Sequence, residues 1–430
     1  LQHVPALLLW GAKDPVFSDA FLHDLMWRLP QASVHRYPDA GHQIIEDTDA
    51  VDTISTWITQ TALGSTATSE ELTTDPGSNT PIWSAIQQHA NDDAAAIIEM
   101  HAKDTRSIER SISFRELDER VHSMASALRA AGVAKGDRLA TLVPPGIDLT
   151  VLVYACLRAG IIIVPPDAAL GINGMRRALR SARLDYLVSD WRGLTLAKVL
   201  RLPATRLSLD ELATLAASST GPVPDAPSPD DTGAIVFTSG STGPSKGVVY
   251  SHGQLQAQRD AVRHAFGVEQ SDRLVVAFAP FAVLAPALGI PSVVPPMDVT
   301  KPAKLTARTL ADAALAIDAT IVFASPAVLA NIAATSDSLD DADRQALASV
   351  RSVVTAGAPV SPQLLAIVEP VFPNATFFTP YGMTELLPVT AVSRAQIDEA
   401  GPGLGVCVGW PLPGVDMAIR PIDEHGQTTG

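Results

Sequence analysis

Cysteine is nearly absent from this sequence. The 430 residues include two cysteines, Cys156 and Cys407, which lie far apart along the chain. Two isolated cysteines have neither the spacing of a disulfide framework nor that of a zinc site. The sequence therefore predicts a protein of a reducing compartment, and we expect it in the cytoplasm.

Positive charge is also scarce. Lysine and arginine together number 31 against 46 aspartates and glutamates, so the net charge is −15. This balance argues against a broad basic face of the kind that binds nucleic acids, and we expect no nucleic-acid partner. The chain has only seven lysines, so a lysine inside a motif is less easily attributed to chance.

No apolar run has the character of a membrane span. The longest uncharged stretch, Leu274–Met297, is long enough to cross a bilayer. Five prolines interrupt it, and each interior proline removes a helix hydrogen bond. They are Pro280, Pro286, Pro291, Pro295 and Pro296. We predict a buried strand followed by a pocket-lining segment, and no transmembrane helix.

The pattern of apolar residues predicts that residues 1–61 form a separate structural unit. Ala6–Trp10 and Ser33–Tyr37 are predicted strands, and Asp19–Leu29 and Asp49–Thr61 are predicted amphipathic helices. The following residues, 62–80, are small and polar and include proline and glycine. This composition predicts a flexible linker.

From residue 81 onward, predicted strands and helices alternate. Ser113–Glu116 is a capping box that opens a helix, and Gly132 ends it. The other predicted helices are Asp148–Ala159, Met175–Ala182 and Gln254–Phe266. The predicted strands are Arg138–Val143, Ile161–Val164, Asp185–Val188, Ala234–Phe237, Gly247–Tyr250, Leu274–Phe278, Ile321–Ala324, Val350–Thr355 and Ala375–Phe378. The alternation predicts an α/β fold with mostly parallel sheets in two halves, and a soft boundary at Pro222–Pro229.

The loop Thr238–Gly247 is the most informative segment. It follows a predicted strand directly and combines hydroxyl residues, three glycines and Lys246. Backbone amides of glycine, hydroxyl groups and one ammonium group suit a polyphosphate. A strand is predicted after the lysine, whereas a Walker P-loop continues into a helix. The same strand argues against the nucleophile elbow that Gly243–Gly247 matches formally.

Two further motifs follow later strands. Thr355–Val360 lies at the end of one predicted strand, and Tyr381–Glu385 comes after another. In the second motif an aromatic ring could stack on a base, and a carboxylate could bind a hard cation. Each motif alone is more typical of an ordinary turn. In this order behind the glycine-rich loop, the motifs together predict a nucleotide site.

The three motifs together resemble those of the adenylate-forming enzymes, which include acyl-CoA synthetases, luciferases and the adenylation domains of peptide synthetases. The resemblance covers residues 81–430, and the loop departs from the family pattern at Pro244 and Ser245. It implies ATP and Mg²⁺ as cofactors. The residues implied to bind ATP are Thr238, Ser239, Gly240, Ser241, Thr242, Gly243, Lys246, Gly357, Ala358, Pro359, Tyr381, Gly382 and Thr384.

The resemblance also implies a role for each motif. Gly357–Pro359 would form the adenine wall, and Tyr381 would stack on adenine. Lys246, Thr384 and Glu385 are the implied catalytic residues. The implied Mg²⁺ ligands are Thr238 and Glu385. In the implied reaction a carboxylate attacks the α-phosphorus of ATP, pyrophosphate leaves, and Mg²⁺ and Lys246 offset the charge on the transferring group.

The implied fold is the large N-terminal domain of such an enzyme, with two mostly parallel αβ subdomains. The family's ribose-binding aspartate, hinge and catalytic lysine lie in a small C-terminal domain after a turn like the one at Gly430. The chain also opens at Leu1 rather than at methionine. We therefore expect a fragment of a longer protein, which binds ATP weakly and is poorly competent alone.

The segment Ala279–Gly289 bears on the acid substrate. Fatty acyl-CoA ligases typically carry a histidine there, whereas this stretch has none and is apolar, which suits an alkyl chain. This segment, Met297–Ala303 and Lys246–His252 resemble those of olefin β-lactone synthetases. The resemblance implies adenylation of a long-chain β-hydroxy acid and closure to a β-lactone. A fatty acid–CoA ligase and a nucleotide-binding module without full activity remain alternatives.

The first 61 residues resemble the C-terminal piece of an α/β-hydrolase related to haloalkane dehalogenases. The resemblance lies in Trp10–Phe17 and Ala40–His42. It implies that Asp14 orients His42 and that His42 activates water or the nucleophile. The nucleophile would precede Leu1. The pairing resembles fused proteins of bacterial olefin biosynthesis, with a hydrolase piece at 1–61, a linker at 62–80 and a ligase domain at 81–430. It also implies other olefin-biosynthesis enzymes as partners.

Overall fold

The computed structural model describes most of the chain. The described residues are 6–13, 22, 25, 32–40, 50, 53–54, 57, 80–101, 104–166, 171–218, 221, 226–237, 246–278, 281–297, 301–401 and 406–417. The chain divides into two compact units, Leu1–Pro76 and Gly77–Gly430. The boundary falls inside the segment predicted as a linker.

The first unit contains a parallel pair of strands. Strand β1 (Leu7–Gly11) pairs with β2 (Ser33–Tyr37), so both strand predictions are confirmed. The described positions within the two predicted helices are all helical; they are residues 22, 25, 50, 53, 54 and 57. Asp14 and His42 lie outside the described residues.

The second unit alternates strands and helices along its length. Its described strands are β3 (Ala95–Met100), β4 (Ile108–Ser113), β5 (Arg138–Thr141), β6 (Ile162–Val164), β7 (Tyr186–Ser189), β8 (Thr205–Ser208), β9 (Thr232–Phe237), β10 (Gly247–Ser251), β11 (Leu274–Ala277), β12 (Ser292–Val294), β13 (Ile321–Ala324), β14 (Ser352–Thr355), β15 (Thr376–Met383), β16 (Leu386–Ser393) and β17 (Trp410–Pro411).

The described helices of this unit are α1 (Ser84–Gln88), α2 (Phe114–Ala130), α3 (Ile147–Arg158), α4 (Gly171–Ser181), α5 (Trp191–Val199), α6 (Leu209–Ser218), α7 (His252–Ala265), α8 (Leu284–Leu288), α9 (Ala307–Ile317), α10 (Pro326–Thr335), α11 (Asp341–Ala348), α12 (Pro362–Val368) and α13 (Arg394–Ala400). The predicted capping box of α2 is confirmed: Ser113 Oγ accepts from the Glu116 amide at 3.2 Å, and the Glu116 carboxylate accepts from the Ser113 amide at 2.9 Å. Within the described ranges, none of the helices is long and apolar enough to span a bilayer.

Two sheets form the frame of the second unit. The six-stranded sheet has the order β10-β9-β6-β5-β7-β8, and all neighbours are parallel except β10 and β9. The nine-stranded sheet has the order β17-β16-β15-β14-β13-β11-β12-β3-β4, with parallel pairing from β15 to β3 and antiparallel strands at both edges. The prediction of two mostly parallel sheet-containing halves is confirmed.

The nine-stranded sheet is buried on both faces at its centre. Every residue of β11, β13 and β14 is buried. These short strands consist almost entirely of apolar residues, which is typical of parallel strands covered by helices on both sides. A rigid sheet centre of this kind fixes the positions of the loops at its carboxyl edge.

The predicted boundary at Pro222–Pro229 does not coincide with a division between the two sheets. Strands β9 and β10 follow the boundary, yet they complete the six-stranded sheet. Strands β3 and β4 precede it and join the nine-stranded sheet. The boundary prediction relied on local composition, whereas sheet membership depends on pairing between distant segments.

Candidate active site

The strand order of the larger sheet marks where a ligand fits. From β11 the chain goes to β12 on one side, and then returns to β13, β14 and β15 on the other side. In open α/β sheets, ligands bind at the carboxyl ends of the strands where the order reverses in this way. The crevice is therefore expected beyond β11 and β13, where Phe278 and Ser325 follow the two strands.

Three phenylalanines line this position. The rings of Phe281 and Phe323 stack with centroids 3.9 Å apart, and Phe278 lies 5.6 Å and 5.9 Å from them. Phe323 is on β13, and Phe281 begins the described part of the apolar segment before α8. We call these three residues the phenylalanine cluster. It provides an apolar wall at the switch point of the sheet.

The first predicted motif lies directly on this cluster. Gly357 follows β14 with φ of +99°, a conformation that L side chains rarely adopt. A Cβ at this residue would lie 3.1 Å from the Phe278 ring. Ala358 and Pro359 continue the loop and are exposed. The predicted position of the motif at the end of a strand is confirmed.

The second motif is placed differently from the prediction. Tyr381 and Gly382 belong to β15 itself, which continues to Met383, so the expectation that the motif follows the strand is wrong. Pairing with β16 extends β15 beyond the predicted end at Phe378. Thr384 and Glu385 are the two turn residues of the resulting hairpin. A Cβ on Gly382 would lie 3.0 Å from the Leu386 carbonyl oxygen, so the hairpin needs glycine there.

The register of the sheet relates the two motifs. Val354 on β14 is paired with Phe378 on β15. The same offset, continued toward the carboxyl edge, places Gly357 level with Tyr381. Tyr381 is 43% exposed, so part of its ring surface is accessible. The arrangement fits a planar group lying between the loop and the ring.

The glycine-rich loop is described only at its end. The residues Thr238, Ser239, Gly240, Ser241, Thr242 and Gly243 lie outside the described residues. Lys246 is exposed and leads into β10, which pairs antiparallel with β9 from Gly247 opposite Phe237. The predicted strand after the lysine is confirmed, and a strand–loop–strand connection is neither a Walker P-loop nor a nucleophile elbow.

A hydrogen bond joins this loop's exit strand to the second motif. The Tyr250 hydroxyl on β10 donates to the backbone carbonyl of Thr384. Burial raises the pKa of Tyr250, a hydrogen bond with Gln258 lowers it, and the Glu385 carboxylate raises it further. The structure thus brings the strand after Lys246 close to the turn that bears Glu385. Tyr250 was not among the predicted site residues, because no local sequence signal reveals a contact between two sheets.

The turn suits a magnesium ion held together with phosphate. Glu385 is exposed, and the adjacent Thr384 hydroxyl is a second hard oxygen donor. Mg²⁺ is usually bound through one or two carboxylates plus substrate phosphates and water, rather than by a protein cage. The described residues contain no group of three or more histidine, cysteine, aspartate or glutamate side chains that could hold a metal.

Comparisons with known proteins identify the family of this chain. Residues 84–430 match the family described as AMP-binding enzyme. Olefin beta-lactone synthetases of Xanthomonas campestris pv. campestris and Stenotrophomonas maltophilia are each 33% identical, over 346 and 336 residues. Each alignment covers 73% of this chain but 58% and 59% of the relatives, so the chain spans less than two thirds of their length.

A solved structure supports the fold. The N-terminal domain of FACL13 from Mycobacterium tuberculosis superposes with a TM-score of 0.67 at 20% identity, covering 81% of this chain and 86% of that domain. This likeness concerns the fold alone, and it agrees with the predicted large N-terminal domain. The family match over residues 84–430 shows that the chain belongs to the AMP-binding, adenylate-forming enzyme family.

Proposed function

We propose that this chain binds ATP and adenylates a long-chain β-hydroxy acid, which then closes to a β-lactone. The observation that carries the proposal is the hydrogen bond between Tyr250 and Thr384. It brings the strand after Lys246 close to the Thr384–Glu385 turn. The Lys246 ammonium group, proposed to bind phosphate, and the Glu385 carboxylate, proposed to bind magnesium, then lie in the same region of the fold.

The family membership supports a role for each motif. Thr238–Gly243 and Lys246 would hold the phosphates, and Gly357–Pro359 would face the adenine beside Tyr381. Thr384 would contact the α-phosphate. When bound by Glu385 and Thr238, Mg²⁺ would supply positive charge to the phosphates. These residue roles are predictions of this proposal.

The first step forms an acyl-adenylate. A carboxylate oxygen of the acid attacks the α-phosphorus of ATP, and the bond to the bridging oxygen of pyrophosphate breaks. Negative charge accumulates on the transferring group and on the leaving pyrophosphate. Lys246 at the loop exit would stabilise this charge, so catalysis consists mainly of positioning and electrostatics.

The second step closes the ring. The β-hydroxyl oxygen of the same molecule attacks the acyl carbon, its proton is released, and AMP leaves. The product is a four-membered lactone. No second substrate enters this step, which distinguishes the reaction from that of an acid–thiol ligase.

Two observations support a long apolar acid. The phenylalanine cluster lies at the switch point of the sheet, where Phe281 and Phe323 stack at 3.9 Å. The segment Ala279–Gly289 has no histidine. The relatives named olefin beta-lactone synthetases add support for the lactone product. The hydrolase-like role of residues 1–61, with Asp14 and His42, and the fusion to olefin biosynthesis stay predictions.

Product analysis tests the proposal. The full-length protein is incubated with a racemic long-chain β-hydroxy acid, ATP, Mg²⁺ and coenzyme A, and the products are extracted and identified by mass spectrometry. We expect AMP, pyrophosphate and a β-lactone. Acyl-CoA without lactone would instead establish a fatty acid–CoA ligase. ATP binding without any acyl product would indicate a nucleotide-binding module.

A further inference from the structure

Tyr250 occupies an unusual position between the two sheets. It lies on β10, the edge strand of the six-stranded sheet, and is only 7% exposed. Its hydroxyl donates to the carbonyl oxygen of Thr384, which belongs to the hairpin of the nine-stranded sheet. The contact therefore joins the strand that leaves the glycine-rich loop to the turn that bears Glu385.

The Tyr250 hydroxyl also lies beside helix α7. It donates to the Thr384 carbonyl oxygen, and a hydrogen bond with the Gln258 side chain on α7 lowers its pKa. A phenol has one donor and can accept a further bond, so the two partners are compatible. Helix α7 also packs against β16. The turn is thus connected through one phenol to a helix and to the loop's exit strand.

The turn itself has few other restraints. Glu385 is exposed and Thr384 is half-buried. The pairing of β15 with β16 is irregular between Tyr381 and Met383, close to the turn. A two-residue turn beside an irregular ladder can shift, and a buried hydrogen bond to its backbone restricts that shift.

Tyr250 is suited to hold the turn rather than to exchange a proton. Burial and the neighbouring Glu385 carboxylate keep its pKa above the ordinary value of about 10.

We propose that Tyr250 is a positioning residue, which holds the Thr384–Glu385 turn in register with the strand after Lys246. In this way the Glu385 carboxylate, proposed to bind Mg²⁺, and Lys246, proposed to bind phosphate, keep a fixed position relative to each other. The inference rests on the proposed function for the assignment of Glu385 to Mg²⁺. It adds a residue outside the three motifs to the nucleotide site.

The test replaces Tyr250 by phenylalanine, which removes the hydroxyl and keeps the ring. Tyr186→Phe is a matched control, because the Tyr186 hydroxyl on β7 of the same sheet donates to the Gly132 carbonyl at 3.1 Å. Each variant therefore loses one bond from a phenol to a backbone carbonyl. Thermal unfolding is measured for both, together with ATP affinity by calorimetry over a range of Mg²⁺ concentrations.

We expect both variants to lose a few degrees of melting temperature. Only Tyr250→Phe should bind Mg·ATP about tenfold more weakly and need more Mg²⁺ for half-saturation, since a displaced carboxylate weakens the ion's site. Wild-type affinity in Tyr250→Phe, with the same thermal loss as the control, would overturn the inference alone. If the wild-type protein binds no Mg·ATP at all, the proposed function fails and the inference fails with it.

Discussion

Gly357→Ala tests the contact between the adenine-wall loop and the phenylalanine cluster. The substitution adds one methyl group at a residue with φ of +99°. An L side chain in the left-handed region costs about 1–2 kcal/mol. In addition, the new Cβ would lie 3.1 Å and 3.4 Å from two carbons of the Phe278 ring, so the ring or the loop has to move by a few tenths of an ångström.

Gly136→Ala separates these two effects. Gly136 has φ of +87°, and a Cβ there would meet nothing within 4 Å. The control therefore contains the backbone cost without the steric contact. We expect Gly136→Ala to lower the free energy of unfolding by about 1–2 kcal/mol. Gly357→Ala should lose about 1 kcal/mol more, which is the low end of the cost of overpacking.

The assay combines urea unfolding with calorimetric titration of Mg·ATP. If the loop forms the adenine wall, its displacement by the new methyl group should weaken ATP binding about tenfold, which corresponds to about 1.4 kcal/mol. Gly136→Ala should bind ATP as the wild type does. The reasoning is refuted if Gly357→Ala matches the control in unfolding and the wild type in ATP affinity.

Three further predictions concern charge. Lys246→Ala should lower ATP–pyrophosphate exchange in the complete protein at least tenfold, because the proposed role of the lysine is to stabilise charge on the transferring adenylyl group. The exposed Lys198→Ala should leave the exchange rate unchanged; equal rates in the two variants would count against the phosphate role. Burial raises the pKa of Asp272, but hydrogen bonds from Arg351 and other donors lower it by more, so the net pKa lies below its ordinary value. The contribution of the Asp272 carboxylate to folding stability is therefore lost as pH falls below about 4. Asp272→Asn should therefore lower the free energy of unfolding, measured with urea, by about 1–3 kcal/mol at pH 7 and by clearly less at pH 3. An equal loss at both pH values would contradict this prediction. Burial lowers the pKa of His252, so the wild-type protein should lose stability as pH drops below about 6.5. His252→Gln should show a smaller fall in melting temperature between pH 7 and pH 5 than the wild type. An identical fall in both proteins would exclude His252 as the cause.

Local signals predicted much of the fold. Strand Ile321–Ala324 has its predicted bounds, because four apolar residues in a row bounded by polar ones form a buried parallel strand. The Ser113 capping box is likewise present, since capping depends on residues within one turn. These features needed no knowledge of distant segments.

Features that depend on distant pairing were missed. The edge strands β3 and β4 were not predicted, and β15 was predicted to end at Phe378 because its apolar run stops there. Pairing with β16 stabilises the extension through Met383, where exposed residues alternate with half-buried ones. The sequence motifs identified candidate residues at the carboxyl edge. Only the structure shows that Tyr250 reaches the turn from another sheet.

The most direct test of the central claim is a binding measurement that requires both halves of the site. A stable acyl-sulfamate analogue of a long-chain β-hydroxyacyl adenylate occupies the nucleotide and acyl positions together, without any turnover. We predict that the chain binds it at least 100-fold more tightly than AMP, because intermediate analogues gain from both parts of the site. Affinity equal to that for AMP, or no binding, would contradict the account.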